Sequence, residues 1–211
     1  MKTVNSTFNK VVRHIRLGVH LTDAHIFSMY SKEMQPLVSP PLPLEFEELI
    51  HPTNEDCDAL VEIGFYTPTT EYIVKYLSEG QHCYVARHQG KIISCFWAIQ
   101  NEFYDHRLKR VIKLANEEIY LLGGYTLPDY RGKGIRDYLF EKVAMANIYT
   151  GGNRAVAFVD VHNHSSIRAV EKIGFKKVGR IGYVSVLGMR LQYIFGRHIL
   201  SPTQKRFIIN R

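Results

Sequence analysis

The sequence predicts an α/β fold, a mixed, mostly antiparallel sheet with flanking helices, and three observations predict it. Early in the chain, short runs of alternating polar and apolar residues are separated by tight turns, as in hairpins. Late in the chain strand runs alternate with helical runs, which calls for a mixed sheet covered by helices. Hydrophobic residues make up 45% of the 211 and charged residues 22%, and 11 Phe, 13 Tyr and 1 Trp supply bulk for a core. Such a composition excludes wholesale disorder and low-complexity filaments.

Taken in order, His14–Leu21 and His25–Tyr30 alternate around Thr22-Asp23-Ala24 and read as a β-hairpin. Ser39 to Pro43 carries three prolines in five residues, a stiff connector that continues neither helix nor central strand. A boundary there divides the chain into an N-terminal hairpin extension and linker (1–44), a main domain (45–195) and a basic C-terminal tail (196–211). Phe46–Ile50 reads as a short strand, and Thr53-Asn54-Glu55-Asp56 caps a helix carrying Ala59, Leu60, Val61 and Ile63. Thr69 or Thr70 caps a second helix with Tyr72, Ile73, Tyr76 and Leu77 on one face, stopped by Gly80. Cys83–Ala86 and Ile92–Ala98 pair around Gln89-Gly90. Glu118–Thr126 is a mostly apolar strand, followed by a turn at Pro128-Asp129 and a helix from about Gly132 to Thr150. Ala155–Val159 is a buried strand, Asn163 opens a helix ending at Gly174, and Lys177–Leu187 and Arg190–Phe195 close the sheet.

The 27 Lys and Arg exceed the 20 Asp and Glu, giving +7 and pointing to an anionic partner. Nucleic acid, membrane surfaces and phosphorylated metabolites all fit that balance. Cys57, Cys83 and Cys95 are odd in number and lack CxxC spacing, so reduced thiols are expected and no zinc ribbon is indicated. No run of about 18 apolar residues is present, and Met1–Leu21 lacks the apolar core of a signal peptide, so no membrane span and a cytoplasmic location are expected.

The informative segment is Leu127-Pro-Asp-Tyr-Arg-Gly-Lys-Gly-Ile135. Gly132 and Gly134 let backbone approach a ligand, and the first N–H groups of the following helix have no intrahelical partner. With Arg131, Lys133 and Arg136 around it, this turn suits a pyrophosphate. A P-loop needs Ser or Thr where Gly134 stands, and the dinucleotide fingerprint needs three glycines in GxGxxG spacing. Neither pattern is met. A second segment, Asn163 to Phe175, follows it.

Together the two segments resemble the GCN5-related N-acetyltransferase (GNAT) family. Its cofactor loop, Arg/Gln-x-x-Gly-x-Gly/Ala, reads here Arg131-Gly-Lys-Gly134-Ile-Arg136, and its later helix matches at Asn163, Ser166, Glu171, Lys172, Gly174 and Phe175. The resemblance covers roughly residues 46–195. It implies an acyl-CoA N-acyltransferase fold, splayed between the strand ending at Thr126 and the strand ending near Asp160, with acetyl-CoA as acyl-donor cosubstrate in the gap. In that picture Thr126, Arg131, Gly132, Lys133, Gly134, Ile135, Arg136, Asn163 and Ser166 form the cofactor site, the backbone near Tyr125 and Thr126 polarises the thioester carbonyl, and a primary amine attacks directly.

Two departures stand out. Arg136 occupies a position where the family usually has Gly or Ala, and Val170 stands where many members carry a Tyr that protonates the departing thiolate. Tyr125 or Tyr183 is the substitute acid, or solvent serves. Asp160 is the general-base candidate, with Glu117 and Glu118 behind it; the alternative for Asp160 is a strand-end carboxylate that stabilises the next turn. Asp160-Val-His162-Asn-His164 also suggests metal ligands, but only three cluster, so no metal is assigned.

The leading expectation is an acetyl-CoA-dependent N-acetyltransferase acting on a small-molecule amine such as an amino sugar. Protein or peptide N-terminal acetylation, long-chain N-acylation and a non-catalytic CoA sensor are the alternatives. No helix-turn-helix, zinc finger or RRM signal supports a nucleic-acid partner, and a homodimer is compatible with the chain.

Overall fold

The computed structural model describes residues 21–34, 43–63, 69–105, 107–108, 110–149, 151–186, 189–196 and 209–210. Their strands are β1 (Leu21–Glu33), β2 (Glu45–Glu48), β3 (His82–His88), β4 (Lys91–Ile99), β5 (Glu102–Asp105), β6 (Arg110–Lys113), β7 (Glu118–Thr126), β8 (Arg154–Asp160), β9 (Lys176–Val186), β10 (Met189–Gly196) and β11 (Ile209–Asn210). Among the described residues the helices are α1 (Asn54–Ile63), α2 (Thr70–Ser78), α3 (Ile135–Tyr149) and α4 (His164–Lys172). Nine strands form one sheet in the order β11-β10-β9-β1-β8-β7-β4-β3-β2, and β5 and β6 pair separately. Every pairing in the large sheet is antiparallel except β7 with β8. That exception places the site: the two strands pair only over Glu118–Tyr120 and Arg154–Val156, then diverge. A βαβ crossover through α3 connects them, which is why they run parallel.

The helices cover both faces. α3 and α4 pack one face through Leu139, Phe140, Val143, Val170 and Phe175 against Ile93, Phe96, Leu121, Ala157 and Val159. The Phe140 and Phe175 rings meet edge-on at 5.4 Å, a contact worth about 0.5–1.5 kcal/mol beyond the area it buries. On the other face α1 and α2 cover Cys83, Val85, Cys95 and Trp97, while the β5–β6 hairpin covers Phe27, Tyr120, Val156 and Phe158. A reciprocal capping box starts α1, with Asp56 N–H donating to Thr53 Oγ1 at 3.1 Å and Thr53 N–H to Asp56 Oδ2 at 3.0 Å.

The N-terminal region differs from the sequence reading. Thr22-Asp23-Ala24, expected as a turn, lies within β1, and β1 sits between β8 and β9 instead of forming a hairpin by itself. Residues 21–33 therefore belong to the same sheet as residues beyond 45. Alternation identifies a strand but not its partner; here Phe27 and Met29 enter one core cluster and Tyr30 and Met34 the other. The Tyr30 hydroxyl also donates to Glu171 Oε1 at 3.2 Å, and Lys32 Nζ to the Ile173 carbonyl at 2.7 Å, tying β1 to α4. His14–His20 and most of the proline-rich segment fall outside the described residues. Beyond the expected boundary at 195, Ile209–Asn210 pairs with β10.

Candidate active site in the strand gap

Where β7 and β8 part, a cleft of about 520 Å³ opens through the sheet. Leu121 to Gly124 line one wall, and Ala157 to Asp160 line the other. Arg136, Asn163, Ser166, Val170 and Phe175 close it on the α3–α4 side, while Tyr72, Tyr76, Phe103, Tyr104, Asp105, Arg107 and Tyr120 line it on the opposite side.

A β-bulge shapes the β7 wall. Cys95 pairs with Tyr125 but Trp97 pairs with Leu122, so β7 carries one residue more than β4 between them. Gly123 takes φ of +62° at this point. A Cβ on Gly124 would stand 2.3 Å from the Phe96 ring, so the ring occupies the space a side chain would need. The stretch beyond Tyr120 has no ladder partner on its β8 side, which leaves backbone groups of Leu121–Gly124 available to a ligand in the gap.

The bulge also changes where Tyr125 goes. Simple alternation would put it on the face of Leu121, but the extra residue returns it to the face of Leu122 and Cys95. Its ring packs beneath the Arg131 guanidinium at 5.2 Å and is not among the cleft-lining side chains. The sequence reading expects its hydroxyl at the reacting atoms; the structure places its ring against Arg131. Tyr183, the other substitute acid, is buried in the core cluster with Phe27 and Phe158. Thr126 is buried too: its hydroxyl meets Ser94 Oγ at 2.9 Å, and its carbonyl accepts from Arg131 Nε at 3.0 Å. Arg131 is thereby fixed across the turn it belongs to.

Gly132 and Gly134 have φ of +74° and +75°, and a Cβ on either would meet nothing within 4 Å. The turn is open to solvent on its outer side and leads directly into Ile135, the buried first residue of α3. The first intrahelical bond there is Tyr138 N–H to the Gly134 carbonyl at 3.0 Å, so earlier N–H groups have no intrahelical acceptor. Lys133 lies with its ammonium 5.2 Å from the Tyr130 ring centre. Arg136 points from the first turn into the cleft over the Phe96 ring at 5.7 Å, and its buried Nε has no partner among the described residues. Burial pushes its guanidinium below the usual arginine range.

On the other wall, Asp160 ends β8 and lines the cleft, half-buried. Its Oδ1 accepts the His162 N–H at 2.8 Å, the contact that the turn-stabilising alternative for this residue expects. Asn163 caps α4, its Oδ1 accepting from Ser166 N–H at 3.1 Å and from Ser165 Oγ at 2.9 Å. Ser166 faces the cleft from the first turn of the same helix. Glu118 and Glu117 do other work: Glu118 is buried beside Arg154 Nε at 3.0 Å and accepts the Ala115 N–H, and Glu117 pairs with Arg154 Nη2 at 2.9 Å. Burial raises the Glu118 carboxyl above the usual range. Val170, at the position of the family tyrosine, is a buried apolar part of the cleft wall.

Sequence reading did not single out the opposite side of the cleft. Asp105 is buried, Arg107 pairs with it at 2.8 Å, and the Tyr120 hydroxyl accepts from Arg107 Nη2 at 3.1 Å. Burial pushes the Tyr120 hydroxyl up to about 12. Only the alternation of Phe103 and Asp105 with exposed neighbours in a short polar stretch could have signalled this cluster. Among the described residues no three His, Cys, Asp or Glu side chains stand close enough to hold a metal ion, and no helix among them is long and apolar enough to cross a membrane.

The acetyltransferase (GNAT) family model matches residues 45–175, more than half of the chain. No curated protein matches the chain. Among solved structures, the chain is similar to a tandem GNAT protein from the clavulanic acid biosynthesis pathway, at 13% identity and TM-score 0.57, covering 84% of this chain and 58% of that one. A GNAT-family acetyltransferase from Colwellia psychrerythraea is 15% identical, with TM-score 0.54 and coverage of 87% and 61%. AAC(6')-Iy, in complex with the bisubstrate analog CoA-S-monomethyl-acetylneamine, is 14% identical, with TM-score 0.50 and coverage of 64% and 91%. The chain thus spans less than two thirds of the length of the first two, and at these identities the likeness is one of fold. With the family model, the strand gap and the glycine-rich turn in agreement, the chain belongs to the GNAT family of acetyltransferases.

Proposed function

We propose that the chain is an acetyl-CoA-dependent N-acetyltransferase whose acceptor is the primary amine of a small metabolite. One observation carries this reading: the cleft between the diverging strands joins an open glycine-rich helix start at Arg136 to a carboxylate, Asp160, on the facing wall. The residues fit the donor. The space at Gly132 and Gly134, the free N–H groups of the first turn of α3 and the unpartnered buried Arg136 Nε offer donors and positive charge to a pyrophosphate. Asn163 and Ser166 flank the same opening.

Acetyl-CoA supplies the acetyl group already activated as a thioester. The β8-facing edge of Leu121–Gly124, which has no ladder partner, is the edge that would pair with the amides of the pantetheine arm and donate to the thioester carbonyl. Asp160 accepts a proton from the amine, directly or through water, as the amide C–N bond forms and the C–S bond breaks. The thiolate is a good leaving group, and solvent returns its proton, because Val170 offers none. Holding both reactants in line supplies much of the rate, since it replaces a bimolecular encounter.

Calorimetric titration of acetyl-CoA into the protein and into Gly134→Glu tests the donor site. The wild type is expected to bind in the micromolar range and the variant at least about 100-fold more weakly, since its carboxylate faces the pyrophosphate. Because any side chain at φ +75° is strained, Gly134→Ala serves as the control and retains most of the affinity. An amine panel of alkylamines, amino acids, amino sugars and short peptides, scored by thiol release, then identifies the acceptor. Absence of binding by the folded wild type would overturn the assignment. Binding without thiol release for any amine would make the chain a CoA-binding module instead.

A further inference from the structure

Arg107 stands in the turn between β5 and β6 and is held on three sides. Its Nε and Nη2 donate to Asp105 Oδ1 and Oδ2 at 3.3 and 2.8 Å, Nη2 also donates to the Tyr120 hydroxyl at 3.1 Å, and the guanidinium lies over the Phe27 ring at 4.7 Å. Those contacts use three of the five N–H donors of an arginine. The two on Nη1 have no partner among the described residues, and the side chain is 43% exposed where it lines the cleft.

Asp105, by contrast, is saturated. Its Oδ1 also accepts the backbone N–H of Arg107 at 2.8 Å and of Leu108 at 3.0 Å, and its side chain is 3% exposed. A ligand reaching this point therefore meets donors in a fixed plane, with the opposing carboxylate turned away.

Asp160 is the neighbour of this fork. Phe27 and Asp160 are directly opposed on antiparallel β1 and β8, so their side chains leave the sheet on one face, and Arg107 stands on that same Phe27 ring. The cleft thus offers a hydrogen-bond acceptor at the strand gap and a preorganised guanidinium edge beside it. A dianionic phosphate would call for more than one cation, and Arg107 is the only cationic side chain lining the cleft on this face among the described residues. A carboxylate matches one guanidinium edge.

We infer that Arg107 binds a carboxylate of the acceptor, which makes the acceptor an amino acid or another short amino-carboxylate in place of a simple amine or an amino sugar. The inference rests on the N-acetyltransferase reading above and narrows its substrate class.

Matched acceptors test it. Thiol release from acetyl-CoA is measured with a set of amino acids, their amides and their decarboxylated amines. The free acids are expected to exceed their amides at least about tenfold in kcat/KM, chiefly through KM, as expected for one charge-assisted hydrogen-bonded contact. Arg107→Gln brings that ratio close to one with acetyl-CoA affinity retained by calorimetry, and Arg107→Lys keeps part of it. Equal use of acid and amide by the wild type overturns the inference. So does thiol release only with amines that lack a carboxylate, in a protein that binds acetyl-CoA, whereas binding without thiol release for any amine fails the parent reading. Absence of acetyl-CoA binding likewise fails the parent reading, and the inference falls with it. Should Arg107→Gln not fold because buried Asp105 loses its partner, the wild-type ratio decides alone.

Discussion

The half of the cleft facing α3 and α4 is walled mostly by apolar side chains and borders an open glycine-rich turn, and the half facing β5 and β6 carries a buried ion pair among aromatic rings. On the first, Phe96, Phe140, Val170 and Phe175 form the wall, and Arg136, in the helix start that follows Gly132 and Gly134, is the one cationic side chain lining it among the described residues. On the second, Tyr72, Tyr76, Phe103, Asp105, Arg107 and Tyr120 arrive from α2, the β5–β6 hairpin and β7. Backbone recognition suits a donor whose pyrophosphate is constant, and side-chain recognition suits an acceptor that varies. The difference teaches where substitutions should be silent and where they should change substrate choice.

The sharpest way to separate the halves is to act on the wall between them. Asp160→Asn removes the proton acceptor we assign while keeping shape and the His162 N–H contact. Turnover is expected to fall about 100-fold, with acetyl-CoA affinity unchanged and part of the loss recovered at high pH, where more of the amine is already neutral. Unchanged turnover would remove Asp160 from the chemistry and leave it the turn contact alone. Gly124→Ala acts on the shared β7 wall. Its Cβ would collide with the Phe96 ring, and because Phe96 belongs to the core cluster and to the cleft wall, the ring has to shift. A loss of about 1–3 kcal/mol in denaturant-measured stability is expected, together with weaker binding of both substrates. A variant affected in only one substrate would show that the bulge serves one half.

The glycine-rich turn and the α4 cap were legible in the sequence because each lies within one short segment. Gly132 and Gly134 must be glycine at positive φ, and Asn163 must be a capping residue, so local rules write both into short segments. The cluster on the β5–β6 side was not. Phe27 comes opposite Asp160 and under Arg107 only because β1 inserts between β8 and β9, and no local pattern states which strand takes a neighbour. The hairpin expected before residue 31 failed for the same reason: His25–Tyr30 alternates as a strand does, but its partners lie about 130 residues or more downstream. Nor was the face of Tyr125 legible, since a single extra residue at Gly123-Gly124 shifts the alternation after it.

That shift yields the smallest effect and the finest discrimination. Tyr125 adjoins Thr126 in sequence and would be beside the thioester if the strand were regular, whereas the bulge turns its ring under Arg131, away from the cleft lining. Tyr125→Phe keeps the ring and the cation–π contact, worth about 0.5–1 kcal/mol, and removes only the hydroxyl. Steady-state thiol release is expected to stay within about twofold of wild type. Tyr125→Ala removes the ring as well, so Arg131 keeps the Thr126 carbonyl as its anchor but loses the surface beneath it. Acetyl-CoA affinity is then expected to drop by a few fold with kcat little changed. A tenfold fall in kcat for Tyr125→Phe would put the hydroxyl in the proton path and show that the bulge does not hold its register in the working enzyme. The pair of variants therefore separates a tyrosine that supports the donor turn from one that takes part in the reaction.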